Sequence, residues 1–269
     1  MEIKNVNVYN FENAFRGMRN PMNSWNKGDS YFGLQDVGYG EQYVENVAIS
    51  WAESNNENIS ESIDSYKEWL YNNGILRIDY DYDVADVAYI GPTDMDLAKR
   101  LIAAGPEHRK FLRQIFVSMD IDAPFYWWKE FDTYKIATVA DSCSTMHKLT
   151  SKPITLDSFE LDDYQNIPYP KDKQEEGIKS YCDDDFIEMC LVPYLEYLRQ
   201  QYLETKDVKY WKELVRWMPN GYLQMRTWTG NYETLRAMYH QRKNHKLTEW
   251  HYFCDVIETL PYAKELIID

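Results

Sequence analysis

Residues 115–148 read IFVSMDIDAPFYWWKEFDTYKIATVADSCSTMHK, and three textures follow one another in them. From Ile115 to Asp122 apolar and polar side chains alternate, the period of a strand with one buried face. Ala123-Pro124 breaks the alternation, and a proline there suits the first turn of a helix. The spacing predicts a helix that carries Phe125, Trp128 and Phe131 inward and leaves Lys129 and Glu130 in water. That helix delivers the polar stretch 132–148, with Lys135, Asp141, His147 and a run of hydroxyl and thiol groups.

Taken on its own chemistry, this stretch has the parts of a small-molecule site. Asp141 can accept hydrogen bonds from a ring N–H or a sugar hydroxyl. Ser142, Ser144 and Thr145 offer hydroxyls and closely spaced backbone N–H groups, which suit an anion, and Lys135 adds a point charge. Cys143 and His147 are four residues apart, and with no third partner visible a thiolate nucleophile is disfavoured against an inert thiol. A polar loop on a core helix is the plain alternative for the whole stretch.

Upstream, "PTDMDLAKRLIAAGP" (92–106) predicts a helix with Thr93 as cap, Asp96 three residues on, and Leu97, Leu101 and Ile102 as its apolar face; Gly105-Pro106 stops it. "ILRIDYDYDVADVAYI" (75–90) reads as strand, "NISESIDSYKEWLYNNG" (58–74) as helix, and residues 1–50 as short strands and turns. Downstream, residues 151–184 are polar and form a long connection, either a lid or interaction segment or a plain surface excursion. From 185 onward the chain reads as mostly helical, with Pro193 as a kink and Pro219 as a stop. Strands first and helices later predict an α+β fold, one domain over 1–269.

The chain has 269 residues, 44% hydrophobic and 27% charged, as for a globular protein. Its net charge of −15 disfavours DNA or RNA as partner, since a phosphate polymer is repelled. No apolar window is long enough to span a bilayer, and the first residues lack the pattern of a secretory signal. The four cysteines lack metal or disulfide spacing, so reduced thiols, no metal site and a cytoplasmic location are expected. Within this acidic chain, Arg216, Arg226, Arg236, Arg242, Lys243, His245 and Lys246 form a basic stretch; a solvated face explains most of them.

The order of strand, Ala-Pro, aromatic helix and polar motif, followed much later by the helix "WTGNYETLRAMYHQR" (228–242), resembles the flavin-dependent thymidylate synthases. Their first signature is Arg-His-Arg, two residues, Ser, one residue, Asn-Glu, one residue, Ser, one residue, Arg-Tyr. Laid on this chain, it places Thr133, Tyr134 and Lys135 at the basic triplet, Thr138 at the first Ser, Ala140 and Asp141 at Asn-Glu, and Cys143 at the second Ser. Thr145 falls at the phosphate-gripping Arg and Met146 at the Tyr. The later signature, Thr-x-Asn-x-Arg-x-Leu, meets Thr229, Asn231 and Leu235, with Glu233 at a flavin-contacting Arg and Arg242 at a nucleotide-positioning Arg; Arg216 stands near a further phosphate Arg.

The resemblance implies an α+β fold, an antiparallel or mixed sheet flanked by helices, and a homotetramer with sites between subunits. It implies reductive one-carbon transfer to C5 of a pyrimidine deoxynucleotide, dUMP to dTMP or a related conversion. FAD would be the cofactor, with NADPH and methylene-tetrahydrofolate as co-substrates. Asp141, Cys143, Ser144, Thr145, Arg216 and Arg242 would hold the nucleotide, Cys143 and Arg242 lying at the reacting ring. Tyr134, Lys135, Ile136, Thr138 and Asn231 would face the flavin. Replacing Arg by Thr removes a charge and a fork of donors, and Glu233 would repel flavin phosphates if turned toward them. Lys for Arg, Thr for Ser, Asp for Glu and Cys for Ser nonetheless keep size or chemistry. Two readings follow: an active member, or a non-catalytic homologue that binds a nucleotide or a protein partner. An unrelated α+β domain is the third.

Overall fold

A computed structural model describes residues 1–36, 76–79, 84–161 and 187–269. The helix expected over 58–74 and most of the polar excursion lie outside the described residues. Among the described residues, strands β1 (Glu2–Tyr9), β2 (Tyr31–Asp36), β3 (Leu76–Asp79), β4 (Val84–Tyr89), β5 (Phe116–Pro124), β6 (Val139–Ser142) and β7 (Leu223–Asn231) are interspersed with eight α-helices. These are α1 (Phe11–Met18), α2 (Pro92–Ala103), α3 (Phe125–Phe131), α4 (Thr145–Lys148), α5 (Val192–Thr205), α6 (Val208–Trp217), α7 (Tyr232–Arg242) and α8 (Thr248–Glu258).

One sheet has the order β1-β5-β7-β6; a second, antiparallel sheet has the order β2-β4-β3. In the first sheet the Thr229 hydroxyl meets Ser118 and the Thr227 hydroxyl meets Asp120, so β5 and β7 run in opposite senses. The α+β class, with sheets flanked by helices, is as the sequence predicts. The chain divides into two compact units: Met1–Asn5, Met119–Lys135 and Val139–Trp228 form the first, and Val6–Ser118, Ile136–Thr138 and Thr229–Asp269 the second.

In the first unit, β5 buries Met119, Ile121 and Ala123 on alternate positions, the period read from sequence. Trp127, Trp128 and Phe131 of α3 are buried with Trp228 of β7 in an aromatic cluster; Trp127 stacks on Phe131 at 4.6 Å between ring centroids. The expected inward Phe125 is only half-buried: it opens the helix and packs its ring against Tyr222, while Trp127 takes the inner place. Full burial of each such ring contributes about 1.5–3 kcal/mol. A second cluster packs Leu195 and Leu198 of α5 and Leu214 of α6 with Leu149, Ile154 and Phe159. Pro193 falls near the start of α5 and not in its interior. It sits in the first turn, directly after a π-turn at Ile187–Leu191, where its missing N–H costs nothing.

In the second unit, α1 is a helix that the sequence reading left among strands and turns. Phe11, Ala14, Phe15 and Met18 are its buried positions, a helical spacing. Phe11 meets Tyr232 edge-on at 5.6 Å, and Phe15 meets Phe111 likewise at 5.6 Å. Helices α7 and α8 bury Leu235, Met238, Trp250, Phe253 and Ile257 in the same unit.

Helix α2 starts differently from the expected Thr93 cap. Gly91 is the N-cap, Pro92 begins the helix, and Thr93 already lies inside it, so its hydroxyl is past the capping position. Asp29 does the capping instead: its two carboxylate oxygens accept from Thr93 N at 2.8 Å and Asp94 N at 2.9 Å. Asp96 pairs with Arg100 on the exposed face. Among the described residues no helix is long and apolar enough to cross a membrane.

Candidate functional site

In the first unit the chain leaves α3 through Tyr134, which is half-buried, and Lys135, which is exposed. It returns as β6, all four of whose residues, Asp141 among them, are exposed. Cys143 follows, exposed, with its backbone fixed on both sides: its N–H donates to Met225 O at 2.9 Å and its carbonyl accepts from Gln224 Nε2 at 2.8 Å. The buried Gln224 also accepts from Arg226 Nε at 3.1 Å, and Arg226 donates to Asp132 at 2.7 Å while lying 4.1 Å over the Trp128 ring. A chain of polar contacts thus runs from the end of α3 to Cys143.

Ser144 caps the short helix α4, its hydroxyl accepting from His147 N at 3.2 Å. Thr145 begins that helix and is half-buried. Among the described residues no hydrogen bond joins the His147 ring to the Cys143 thiol. Beside it, the Tyr222 hydroxyl is pushed above its ordinary value by burial first, then by the proximity of Cys143 and Asp122. Arg216 is exposed and paired with Glu213 one turn away.

In the second unit, Ile136 is 87% exposed, Ala137 holds a left-handed φ of 55°, and Thr138 is half-buried. A non-glycine residue in that region carries backbone strain, which proteins keep mostly where it serves a purpose. The Ile136 carbonyl accepts from Thr234 Oγ1 at 3.3 Å, and the same hydroxyl lies 3.2 Å from Asn231 Oδ1. Asn231 is the N-cap of α7, accepting from Thr234 N at 2.9 Å. It is 1% exposed, and among the described residues its Nδ2 has no hydrogen-bond partner. Two of the expected cofactor residues, Ile136 and Asn231, are therefore gathered through Thr234.

Glu233 departs from expectation. It is clasped by Arg109, whose Nε and Nη2 reach its two oxygens at 2.8 and 3.0 Å. Its charge is neutralised within the unit, and it sits in the first turn of α7, where the helix dipole favours an anion. Sequence reasoning missed Arg109, whose partner is more than a hundred residues away. At the other end of α7, Arg242 is half-buried with its guanidinium 4.8 Å over the Trp250 ring. Arg236 donates to Ile267 O at 2.6 Å, and burial, then Arg109, lowers its pKa.

Searches with this chain matched no family model and no curated protein. Solved structures do match. Thymidylate synthase X of Helicobacter pylori, solved with FAD and dUMP, is 15% identical over 99% of this chain and 97% of that one, with a TM-score of 0.55. Another structure of the flavin-dependent enzyme from Helicobacter pylori, with FAD and dUMP, is 18% identical over 65% of this chain and 83% of that one, with a TM-score of 0.45. The fold is that of the flavin-dependent thymidylate synthases. At this identity the likeness is one of fold.

For a flavin, the donors and charges present fit in part. Asn231 Nδ2 is a buried donor left over for an acceptor. The Arg109–Glu233 pair removes the repulsion that a bare Glu233 would exert.

Proposed function

We propose that this chain binds a pyrimidine deoxynucleotide together with FAD and carries out reductive one-carbon transfer to C5 of the pyrimidine, dUMP to dTMP or a related conversion. The observation that supports this reading most is the arrangement at the start of α7, where Asn231, Thr234 and the Ile136 carbonyl meet beside an unpaired buried amide. The end-to-end match in fold to an enzyme solved with FAD and dUMP agrees with it. Tyr134, Lys135, Ile136, Thr138 and Asn231 are assigned to the flavin in this reading. Asp141, Cys143, Ser144, Thr145, Arg216 and Arg242 are assigned to the nucleotide, Arg242 supplying its positive charge at the ring. When bound, FAD supplies the redox chemistry, with NADPH and methylene-tetrahydrofolate as co-substrates. The exposed Ile136 and Val139 favour a homotetramer in which a second copy completes the site.

One observation favours the alternative of a non-catalytic homologue that binds a nucleotide or a protein. Thr145 stands where a phosphate-gripping Arg is expected, and Arg216, the other cation assigned to phosphate, is already paired with Glu213. The two readings separate on a visible absorption spectrum of the purified chain with added FAD, followed by calorimetry with dUMP. Retained flavin, and dUMP binding that Arg242→Ala abolishes, support the enzyme. No flavin retained at saturating FAD, or unchanged dUMP affinity in Arg242→Ala, overturns it. Light scattering that gives a monomer removes the shared site.

A further inference from the structure

The second unit holds a cavity of about 310 Å³ between α1, the turns that follow it and the start of β2, lined by none of the residues assigned to nucleotide and flavin. We propose that it is a binding site for a small aromatic carboxylate.

The walls supply the aromatic part. Phe15, Trp25, Tyr31 and Phe32 line the cavity, and Trp25 is 52% exposed, so its indole is available to a ring entering from solvent. A volume near the low end of known ligand pockets suits one ring rather than several.

The anion is called for by two guanidinium groups. Arg19, 4% exposed, lines the cavity. Its Nε is held by Asp94 at 2.5 Å and its Nη1 lies 3.4 Å from Ser24 O, yet Nη2 is buried with no hydrogen-bond partner among the described residues. A buried donor without an acceptor is costly, and native proteins rarely keep one without a use. Arg16, in the last turn of α1, lines the same cavity. It donates to Asn13 Oδ1 at 2.9 Å and has no carboxylate partner among the described residues.

The acids decide which anion. Asp94 is fully engaged, accepting from Arg19, Asp29 N, Ser30 N and Ser30 Oγ, so it does not bind a ligand itself. Glu12 also lines the cavity, and its charge opposes a dianion more than a monoanion. A carboxylate also matches the flat fork of a guanidinium. An adjoining space of about 440 Å³ shares Arg16 and Trp25 and is otherwise lined by Asn13, Gly17, Asn20 and Gln114, so a polar substituent on the ring has amides to meet.

The test uses the full chain with benzoate as probe, benzamide as its uncharged counterpart and acetate as the ringless one, read by calorimetry and ligand-observed NMR. Benzoate is expected to bind at least tenfold more tightly than either control. Arg19 is buried against Asp94, so its removal endangers folding; Arg16→Gln and Trp25→Ala alter exposed side chains instead. Arg16→Gln should weaken benzoate roughly ten- to hundredfold, the worth of one charge-assisted hydrogen bond, and Trp25→Ala roughly tenfold. No benzoate binding at millimolar concentration, equal affinity for benzamide, or unchanged benzoate affinity in both variants would overturn the proposal. FAD and dUMP binding should be unaltered in Arg16→Gln, so failure of the nucleotide reading and failure of this one are separate results.

Discussion

Asn231→Ala separates the structural from the ligand-binding role of the residue on which the functional reading most depends. The side chain does two things in the structure. Its Oδ1 caps α7 through Thr234 N, and loss of such a cap costs about 1 kcal/mol, within a range of about 0.5–2. Its Nδ2 is buried and unpaired, and removing an unsatisfied buried donor returns about 1–3 kcal/mol. The two contributions oppose each other, so the ligand-free variant should unfold within about 4 °C of the parent, since about 1 kcal/mol is worth roughly 2–4 °C in a chain of this size. FAD at about a hundred times its Kd stabilises the parent by about 2.7 kcal/mol. Losing one hydrogen bond of about 1.4 kcal/mol lowers affinity about tenfold, so at the same FAD concentration the stabilisation falls to about 1.4 kcal/mol. Differential scanning calorimetry with and without FAD should therefore show a nearly unchanged ligand-free melt and a flavin-induced shift cut by about half. An equal flavin shift in both proteins would refute the assignment of Asn231. A ligand-free loss of several kcal/mol would show instead that the amide is already satisfied within the fold.

Gly91→Ala should destabilise by about 2–3 kcal/mol, because an added Cβ would lie 2.3 Å from the Asp29 carboxylate and its backbone oxygen and so displace the group that caps α2; an unaltered melting temperature would contradict the close approach. The Glu196 carboxylate is held down to about 2, chiefly by hydrogen bonds from Arg199, with the Ile154 N–H and Gln200 assisting. A folded-state pKa below the ordinary 4.5 stabilises the fold above that value, and the contribution is lost as pH falls from 4.5 toward 2. Urea midpoints measured across that window should fall more steeply in the parent than in Glu196→Gln, and parallel curves would count against the pair. Gln224→Leu removes the side chain that links the Cys143 carbonyl to Arg226, and should cost about 1 kcal/mol through the loss of two partly buried hydrogen bonds, Arg226 keeping its Asp132 partner; denaturant unfolding checks it.

The strand at 115–122 and the helix at 92–106 were legible because each carries its period over enough residues to exclude the other reading. Helix α1 was equally legible in Phe11, Ala14, Phe15 and Met18, but its eight residues lie in a stretch rich in Asn, and the turn-forming side chains dominated the reading. Strand β7 is different. Leu223, Met225, Thr227 and Thr229 alternate with Gln224, Arg226 and Trp228, a pattern that gives no contrast between an apolar and a polar face. Its place in the sheet comes from pairing with distant strands, which no local window contains. Asn231 was legible as a signature position, but its role as N-cap was not, because the helix was read from Trp228 onward and it begins at Tyr232. The capping Asp29 and the clasping Arg109 were not legible, because each acts on a residue far along the chain.

If the chain binds FAD as proposed, the Arg109–Glu233 pair sets how far the departures from the signature weaken that binding. A lone Glu at a position that faces phosphate would replace attraction with repulsion, and the site would then reject the cofactor outright. Arg109 meets both oxygens of Glu233 in a partly buried bidentate pair, so the local charge passes from positive to neutral and not to negative. The loss is that of one charge-assisted hydrogen bond, about 1.5–3 kcal/mol, or roughly ten- to hundredfold in affinity. A flavin that bound at micromolar concentration with the Arg in place would still bind below millimolar here. Arg109→Gln should abolish that remaining affinity by exposing the charge of Glu233, and Arg109→Gln combined with Glu233→Gln should restore it. If the double variant binds FAD no better than Arg109→Gln alone, Glu233 does not face the flavin and the later signature has lost its role in this chain.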